Sequence, residues 1–343
     1  MTLNEKLEGI NNLKCYEAVI KADMIVNRHY NIVVSVSGGS DSDVVIDMIQ
    51  RVREPGKQIR FVYFDTGLEY QATKDHLDYL EQKYGITIER VKAKIPIPLC
   101  VKKHGQPFLS KYVSEQLSRL QMYNFGWEDF STEAEMEEAY PDMPKTACKF
   151  WTDAHSKDQR SMFDISYHRD LKEFIIKNPP WFPISNKCCT YSKKAVAHKF
   201  REEAGADLEI IGVRKAEGGI RAANYKTCFD QGETMDRFRP VFWLSDADKK
   251  EYEKTFEIRH SDCYEKWGFT RTGCVGCPYN LKILKELEAV EQYEPKMAKA
   301  CKNIFKDAYE YTQMYREYVG EKKSRAKYPE GQMSIFDMEE AEQ

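Results

Sequence analysis

A glycine loop between an apolar run and an amphipathic run constrains the fold of this chain more than any other segment. Residues 37–42 read Ser-Gly-Gly-Ser-Asp-Ser; they follow the apolar run 32–36 and precede apolar residues at helical spacing between positions 44 and 52. This order predicts a strand, a loop and a helix. Glycines let the backbone turn tightly, and the N–H groups of a helix N-terminus bind anions. We therefore predict a phosphate or pyrophosphate site at this loop.

The side chains of the loop suit the same ligand. Serine hydroxyls donate hydrogen bonds to phosphate, and the carboxylate of Asp41 can hold a magnesium ion that the phosphates share. The residues that we expect to contact the nucleotide here are Ser37, Gly38, Gly39, Ser40, Asp41 and Ser42.

The SGGSDS string resembles the pyrophosphate-binding loop of the PP-loop ATP pyrophosphatases, whose pattern is SGGxDS. It differs from a Walker loop, which ends in Gly-Lys-Ser or Gly-Lys-Thr. The resemblance implies that ATP is cleaved between its α- and β-phosphates, giving AMP or an adenylated substrate together with pyrophosphate. Many members of this family have lysine at the variable position, where this chain has Ser40. One cationic phosphate contact therefore comes from elsewhere or is missing.

The segments after the loop continue the alternation of strands and helices. An apolar run at 61–64 ends in Asp-Thr-Gly-Leu-Glu at 65–69, a helix-like stretch runs to Tyr84, and a third strand is expected at 86–91. The pattern predicts an α/β fold with a doubly wound, mostly parallel sheet. Ligands of such sheets gather at the carboxyl ends of the strands, where both strings lie.

The position of Asp65 in the sequence allows two roles. A carboxylate at the end of the second strand can receive the adenosine hydroxyls, and it can equally cap the following helix. The DTGLE string resembles the corresponding segment of PP-loop proteins and of phosphoadenosine phosphosulfate (PAPS) reductases. That resemblance favours a nucleotide contact and adds Thr66 and Gly67 to the expected cofactor-binding residues.

Beyond residue 93 the alternation breaks, which indicates an insertion. We interpret residues 94–170 as a helical insertion over the active site, with one amphipathic helix marked by apolar residues between 109 and 120. The sheet is expected to resume at 208–213 and again at 240–243, and a capping box at 245–248 to open a helix. An apolar stripe from 297 to 318 predicts a final helix. The predicted domains are 1–245 for nucleotide binding, 246–320 for a cluster-binding and helical region, and 321–343 for a disordered tail.

Two cysteine pairs point to a metal centre. Cys188 and Cys189 are adjacent, and Cys274 and Cys277 form a CxxC in a glycine-containing turn. Four thiolates suit either tetrahedral zinc or an iron–sulfur cluster. Adjacent cysteines are awkward ligands for a small tetrahedral zinc site, so a [4Fe–4S] cluster is favoured over zinc, and unrelated thiols remain the third reading.

The cysteine pattern resembles that of adenosine phosphosulfate reductases, in which a CC pair is followed by CxxC. Residues 212–221 are similar to the arginine-rich nucleotide-binding turn of that family, and residues 239–245 and 267–278 follow its C-terminal layout. The resemblance implies that Gly212 lies at the nucleotide and that two arginines grip the α-phosphate or the acceptor. These arginines are Arg214 and Arg221, for which a surface salt bridge is the alternative.

Two departures separate the chain from sulfonucleotide reductases. Those enzymes attack sulfate with a cysteine in a mobile C-terminal segment, whereas the one cysteine here after Cys277 is Cys301, which lies on an apolar helical stripe. Reductases also generally carry a degraded phosphate loop, and this chain keeps SGGxDS. Cys228 and Cys263 lie in polar contexts and are alternatives for Cys188 as a ligand, or persulfide carriers, or plain thiols.

The sulfur-transfer branch of the superfamily, with DNA phosphorothioation and tRNA thiolation enzymes, resembles the chain better. That resemblance implies ATP, Mg²⁺ and a [4Fe–4S] cluster, a cysteine desulfurase as sulfur donor, and nucleic acid, with DNA favoured over tRNA, as acceptor. The catalytic residues would be Asp41, Arg214 and Arg221. The alternatives are a PAPS or adenosine phosphosulfate reductase, and a nucleotide-sensing module without turnover.

The net charge and the C-terminal tail bear on the expected location and partners of the chain. With 52 Lys and Arg against 55 Asp and Glu, the net charge of −3 neither demands nor excludes nucleic acid. No apolar run long enough to span a membrane and no signal core are seen, so a cytoplasmic location is expected. In the tail, residues 332–336, Gln-Met-Ser-Ile-Phe, resemble the peptide that docks on the replicative sliding clamp. Chance occurrence is the alternative.

Overall fold

The structure is a computed structural model that describes residues 2–156, 159, 161–218 and 224–327. It divides the chain into two compact units. The first unit comprises Met1–Leu99, Cys189–Val275 and Glu286–Ala298, and the second comprises Cys100–Cys188, Gly276–Lys285 and Lys299–Gln343. The chain passes between the units five times, so the units do not follow the linear domain bounds expected from the sequence.

A six-stranded sheet lies in the first unit, counted over the described residues. Its strands in chain order are β1 Asn31–Val36, β2 Gln58–Asp65, β3 Ile88–Lys92, β4 Leu208–Ile211, β5 Phe229–Asp230 and β6 Asp236–Phe238. The spatial order is β3-β2-β1-β4-β6-β5, and all neighbours are parallel except β5 and β6. The predicted α/β class with a mostly parallel sheet is confirmed.

Strand β1 lies at the centre of the parallel part and is buried on both faces. Val34 pairs with Phe61 of β2 and with Ile210 of β4. Val34 belongs to a large apolar cluster, whereas the adjacent Val33 belongs to a different one with Val62. Successive side chains of a strand point to opposite faces, so the sheet is covered on both sides, as a continuous apolar strand requires.

The helices of the chain are α1 Leu3–Leu7, α2 Leu13–Val26, α3 Ser40–Val52, α4 Gln71–Tyr84, α5 Ile97–His104, α6 Lys111–Met122, α7 Glu133–Ala139, α8 Lys145–Trp151, α9 Leu171–Lys177, α10 Lys187–Cys189, α11 Ala195–Glu203, α12 Asp246–Thr255, α13 Asp262–Glu265, α14 Ile283–Tyr293, α15 Pro295–Ile304 and α16 Lys306–Lys327. The predicted helices after the glycine loop and before Tyr84 are confirmed as α3 and α4. The predicted capping box is confirmed at the start of α12, where Ser245 and Asp248 bond reciprocally.

The second unit has its own aromatic core. Phe108, Phe174 and Tyr311 are at most 1% exposed, and the ring of Tyr311 contacts the rings of both phenylalanines. The predicted amphipathic helix is α6, whose Val113, Leu117 and Leu120 face this core. The segment interpreted as an insertion is therefore helical, and its role over an active site stays a prediction.

Two sequence expectations differ from the structure. The strand expected at 240–243 is wrong: β6 ends at Phe238, and residues 240–243 form turns in which Val241 and Phe242 are nevertheless buried. Pro240 has no N–H to donate, so the ladder cannot continue through it. The apolar stripe from 297 to 318 is real but falls on two helices, α15 and α16, which are interrupted at Phe305.

Within the described ranges, none of the helices has the length and apolarity that crossing a membrane requires.

A close backbone contact in the second unit gives a stability prediction. Gly105 has φ +105°, and a Cβ built on it would lie 2.2 Å from the carbonyl oxygen of Pro183. Replacing Gly105 by alanine should cost about 3 kcal/mol or more, because backbone cannot move away as a side-chain tip can. Circular dichroism during thermal unfolding measures the effect.

Gly205→Ala is the control: φ is +56° but a Cβ there meets open space, so a loss of about 1–2 kcal/mol in the free energy of unfolding is expected. Equal losses in the two variants would contradict the described contact.

Candidate phosphate site and cysteine pair

The glycine loop joins β1 to α3 in the first unit, as the sequence predicts. Gly38 has φ +67°, and a Cβ on it would lie 2.4 Å from Cγ2 of the buried Thr73. Gly39 is the N-cap of α3 and makes no side-chain cap. The loop therefore needs glycine at position 38 both for its backbone conformation and for the approach of α4.

Two of the loop serines stabilise the loop itself. The hydroxyl of Ser42 donates to the Gly39 carbonyl at 2.8 Å and lies 3.3 Å from the Ser37 hydroxyl. The Ser37 hydroxyl accepts from the Gly39 N–H at 3.3 Å. Because Ser42 is 3% exposed, its contribution to a phosphate site is to fix the backbone that surrounds the ligand.

Gly212 lies behind the loop, at the end of β4. A Cβ on Gly212 would be 3.1 Å from the carbonyl carbon of Asp41 and from the amide nitrogen of Ser42. Glycine here lets β4 approach the first turn of α3. The structure thus places the predicted residue Gly212 at the glycine loop. Gly212 packs there against the backbone of Asp41 and Ser42.

An ion-pair cluster surrounds Asp41. Its Oδ1 accepts hydrogen bonds from Nε of Arg214 at 2.8 Å and lies 2.8 Å from Nζ of Lys249. Arg214 and Lys249 are 7% and 8% exposed. Nη1 of Arg214 also bonds Asp246 at 2.8 Å. Burial raises the pKa of Asp41, but Lys249 and Arg214 together outweigh it, so the pKa is lowered and the carboxylate stays charged.

Lys249 is the functional candidate that the sequence reasoning missed. Its Nζ donates to the hydroxyl of Ser40 at 2.5 Å, which is the position where the resembling loops carry lysine. A signal was present, since Lys249 lies in the first turn of the helix that the capping box at Ser245 predicts. Nothing in the sequence, however, places that turn at the glycine loop.

The DTGLE residues form a turn at the end of β2. Oδ1 of Asp65 accepts from the Gly67 N–H at 2.8 Å, and its other oxygen lies 4.0 Å from Nζ of Lys74. Thr66 is buried and donates its hydroxyl to Glu69 at 2.6 Å. Asp65 therefore shapes its own turn rather than capping α4, whose N-cap is Tyr70; the nucleotide contact stays a prediction.

A second charge network, also missed from the sequence, lies behind the loop. The fully buried Asp43, in the first turn of α3, is 2.7 Å from Nδ1 of His260 and 3.0 Å from Nε2 of His76. Nε2 of His260 lies 2.9 Å from Glu253, which in turn is 3.3 Å from Lys249. Burial lowers the pKa of His260, but Asp43 and Glu253 outweigh it and raise the value to about 9. His260 is then an imidazolium that donates to both carboxylates.

One thiol of each cysteine pair lies in the first unit. Cys189 ends α10 and directly precedes a π-helical turn at Thr190–Lys194, a geometry often found at functional sites. Burial raises the pKa of the Cys274 thiol to about 12; the charges of Glu69 and Cys189 add to this rise, and Lys193 opposes it. The Cys274 sulfur is 3.7 Å from the Thr66 hydroxyl. The structure therefore brings Cys189 and Cys274 into one electrostatic environment beside the DTGLE turn.

Cys188 and Cys277 belong to the second unit, in which Cys188 is buried and Cys277 is partly exposed. Gly276 packs closely there, since a Cβ on it would lie 2.7 Å from Cβ of Cys301. Over the described residues, no group of three or more His, Cys, Asp or Glu side chains is arranged to hold a metal ion. The four-cysteine ligand set therefore stays a prediction.

Of the remaining candidate site residues, the structure describes two cysteines and leaves the other two candidates outside the described ranges. Cys228 and Cys263 are buried, and burial raises the pKa of Cys263 to about 12, which is unfavourable for a reactive thiol. Arg221 and the 332–336 peptide lie outside the described residues.

A mostly parallel sheet with a glycine loop after its central strand is an arrangement found in many nucleotide-binding α/β domains. Residues 31–120 match the family model described as "Phosphoadenosine phosphosulfate reductase domain". The chain therefore carries a PAPS reductase domain, and the superfamily recognised from the SGGSDS and DTGLE strings is confirmed at this level. The particular branch stays a prediction.

Two relatives are similar in sequence. An uncharacterized protein of Methanocaldococcus jannaschii is 36% identical over 279 residues, which cover 80% of this chain and 42% of that protein. The adenosine 5'-phosphosulfate reductase of Neisseria meningitidis is 28% identical over 116 residues, which cover 34% of this chain and 46% of the reductase. The matches thus span less than half the length of each relative.

A solved structure offers a looser likeness. The U34-tRNA thiolase of Methanococcus maripaludis, determined with its [4Fe-4S] cluster, gives a TM-score of 0.37 at 12% identity over 88% of this chain and 78% of the thiolase. A likeness at this level carries no argument about the reaction.

The raised pKa of His260 predicts how stability depends on pH. The pKa of His260 is about 9 in the folded chain and 6.5 for an ordinary histidine, so protonated His260 stabilises the fold fully below pH 6.5. This contribution, about 3 kcal/mol, is lost as the pH rises through 9. His260→Gln should therefore lower the free energy of unfolding at pH 6 and flatten its decline between pH 6.5 and 9.5. Denaturant unfolding across this range measures both effects.

The matched control for this prediction is His198→Gln. His198 is 66% exposed and pairs with the equally exposed Glu202, so its replacement should leave the pH profile unchanged. A His260→Gln profile that still declines as steeply as that of the unaltered chain would contradict the assignment.

Proposed function

We propose that this chain is an ATP-dependent enzyme that forms AMP and pyrophosphate and transfers sulfur to nucleic acid. The observation that carries the proposal is the intact phosphate loop, on whose carboxylate two buried cations, Arg214 and Lys249, converge. Two cations beside a helix N-terminus suit a polyphosphate. The match of residues 31–120 to a PAPS reductase domain supports a nucleotide as the ligand.

The proposed reaction has two steps. An oxygen of the acceptor attacks the α-phosphorus of ATP, and the bond to the oxygen bridging the α- and β-phosphates breaks, so that pyrophosphate leaves with that bridging oxygen. A thiol reductant, itself oxidised to a disulfide, releases the desulfurase's persulfide sulfur at the sulfide level; this sulfur then bonds to the activated acceptor, and AMP leaves with the acceptor oxygen. Arg214 would hold the charge that develops on the leaving pyrophosphate, and the loop N–H groups would position it.

Magnesium fits the donor set at the loop. Mg²⁺ binds nucleotides through one or two carboxylates and the phosphate oxygens. Asp41 supplies one carboxylate, and Glu217, whose Oε1 accepts from the N–H of Arg214 at 3.3 Å, supplies a second beside the residue that pairs with Asp41. When bound, Mg²⁺ would neutralise phosphate charge; Asp41 also orients the two cations.

A [4Fe–4S] cluster fits the chemistry of the thiols. In the first unit, burial raises the pKa of Cys274 to about 12 and keeps its thiol protonated, whereas a bound metal centre would favour the thiolate. We propose Cys188, Cys189, Cys274 and Cys277 as its ligands. When bound, the cluster would supply thiolate-ligated iron that carries or orients sulfur.

The proposed partners follow from the same branch of the family. DNA is favoured over tRNA as the acceptor, a cysteine desulfurase would provide the sulfur, and residues 332–336 would dock on the sliding clamp. We also propose that the chain acts in the cytoplasm.

The first experiment supplies anaerobically purified chain with Mg²⁺ and α-labelled ATP, with and without DNA or tRNA. AMP and pyrophosphate, formed faster with one nucleic acid, are expected, because the loop would activate an acceptor oxygen. Absence of ATP cleavage under every condition would contradict the proposal.

Matched glycine variants test the loop itself. Gly38→Ala should reduce ATP cleavage at least about 100-fold, since φ is +67° and the new Cβ meets Thr73. Gly85→Ala is the control, because φ is +60° there and the Cβ meets nothing.

Cysteine variants test the cluster. Iron and acid-labile sulfide in equal amounts, with a brown absorbance, are expected for the unaltered chain and should be lost in Cys274→Ser. Cys15→Ser is the control, because a hydroxyl can still donate to the Asp248 carbonyl that the Cys15 thiol contacts at 3.3 Å. Stoichiometric zinc without iron would favour the tetrahedral alternative.

A sulfonucleotide reductase is the second candidate, supported by the similarity to the Neisseria meningitidis reductase. It predicts release of sulfite from an adenylyl sulfate and a thiol reductant, without ATP cleavage. The same labelled-nucleotide experiment separates the two functions.

A further inference from the structure

Lys249 is held at the glycine loop although it lies 209 positions from Ser40 in sequence. Its Nζ contacts the Ser40 hydroxyl at 2.5 Å, Oδ1 of Asp41 at 2.8 Å and Glu253 at 3.3 Å. Its side chain is 10% exposed. Burying an ammonium group costs free energy unless the group is paired with carboxylates and hydrogen-bonded.

A second cation and two helix N-termini lie near the ammonium of Lys249. Ser40 is the first residue of α3 and Lys249 lies in the first turn of α12, so the ammonium is near the positive ends of two helix dipoles. Arg214 adds a second cation on the same Oδ1 of Asp41. Two cations and two helix N-termini beside the loop can contact an anion there, in addition to the carboxylates with which the cations already pair.

The contacts of Lys249 allow an exchange for such an anion. The ammonium has three donors, and the longest of its three contacts is the one to Glu253. Glu253 also has the imidazolium of His260 at 2.9 Å, so it keeps a charged partner if Lys249 turns away. Replacing that contact by a phosphate oxygen therefore leaves no buried carboxylate without a cation.

We infer that Lys249 is the cation that binds the phosphate of the nucleotide at this loop, in the place that Ser40 leaves open. On binding, its Nζ keeps Ser40 and Asp41 and exchanges Glu253 for a phosphate oxygen. The inference rests on the proposed function, since it assigns one contact of the proposed polyphosphate ligand.

The experiment measures binding of Mg-ATP and of Mg-pyrophosphate to the full chain by isothermal titration calorimetry. Lys249→Met should raise both dissociation constants about 10- to 100-fold, the range for a charge-assisted hydrogen bond to phosphate. Lys250→Met is the control: the neighbouring side chain is exposed and binding should be unchanged. Thermal unfolding of each variant measures folding separately.

A relocated cation makes the test specific. In Ser40→Lys combined with Lys249→Met, the ammonium moves from α12 onto the loop, so affinity should recover at least about tenfold over Lys249→Met. A structural role would not give this recovery. Unchanged affinity in Lys249→Met, or recovery of stability alone in the double variant, would overturn the inference while leaving the proposed function intact. If the unaltered chain binds neither probe, the proposed function fails as well.

Discussion

The phosphate loop depends on the charge of Asp41, which holds together three segments that are far apart in sequence. Asp41 lies in the first turn of α3, Arg214 follows β4, and Lys249 lies in α12; both cations contact the same carboxylate oxygen. Without Asp41 these two buried cations would repel each other. Removing one partner of a buried ion pair costs about 3–5 kcal/mol, so the carboxylate stabilises the first unit as well as shaping the site.

Close packing gives the loop its form, and ion pairs join it to distant segments of the chain. Gly38 lets Thr73 approach and Gly212 lets β4 reach the start of α3, while Ser42 bonds back to the loop. Much of the SGGSDS string thus builds the backbone instead of facing a ligand. Ser40 differs, because its hydroxyl faces the ammonium of Lys249. The SGGSDS string therefore contains residues that shape the loop backbone and one residue, Ser40, that contacts Lys249.

The charges behind the loop form a continuous series from Lys249 through Glu253 and His260 to Asp43. Each group neutralises its neighbour, which is how the fully buried Asp43 remains charged. The cysteine chemistry is organised differently, since Cys189 and Cys274 lie in the first unit and Cys188 and Cys277 in the second. The phosphate loop, in contrast, is built entirely within one unit.

The sequence by itself determined the local elements: the strand, glycine loop and helix around residues 37–42, the mostly parallel sheet, the capping box at Ser245 and the likeness of residues 31–120 to a PAPS reductase domain. These features follow from periodicity and turn chemistry, which act over a few residues. The end of β6 and the network of His260 with Asp43 were not predicted, because both depend on contacts between distant segments. Tertiary structure alone decided that Lys249 meets Ser40, since that requires α12 to pack beside the first turn of α3, and no local pattern specifies this neighbour.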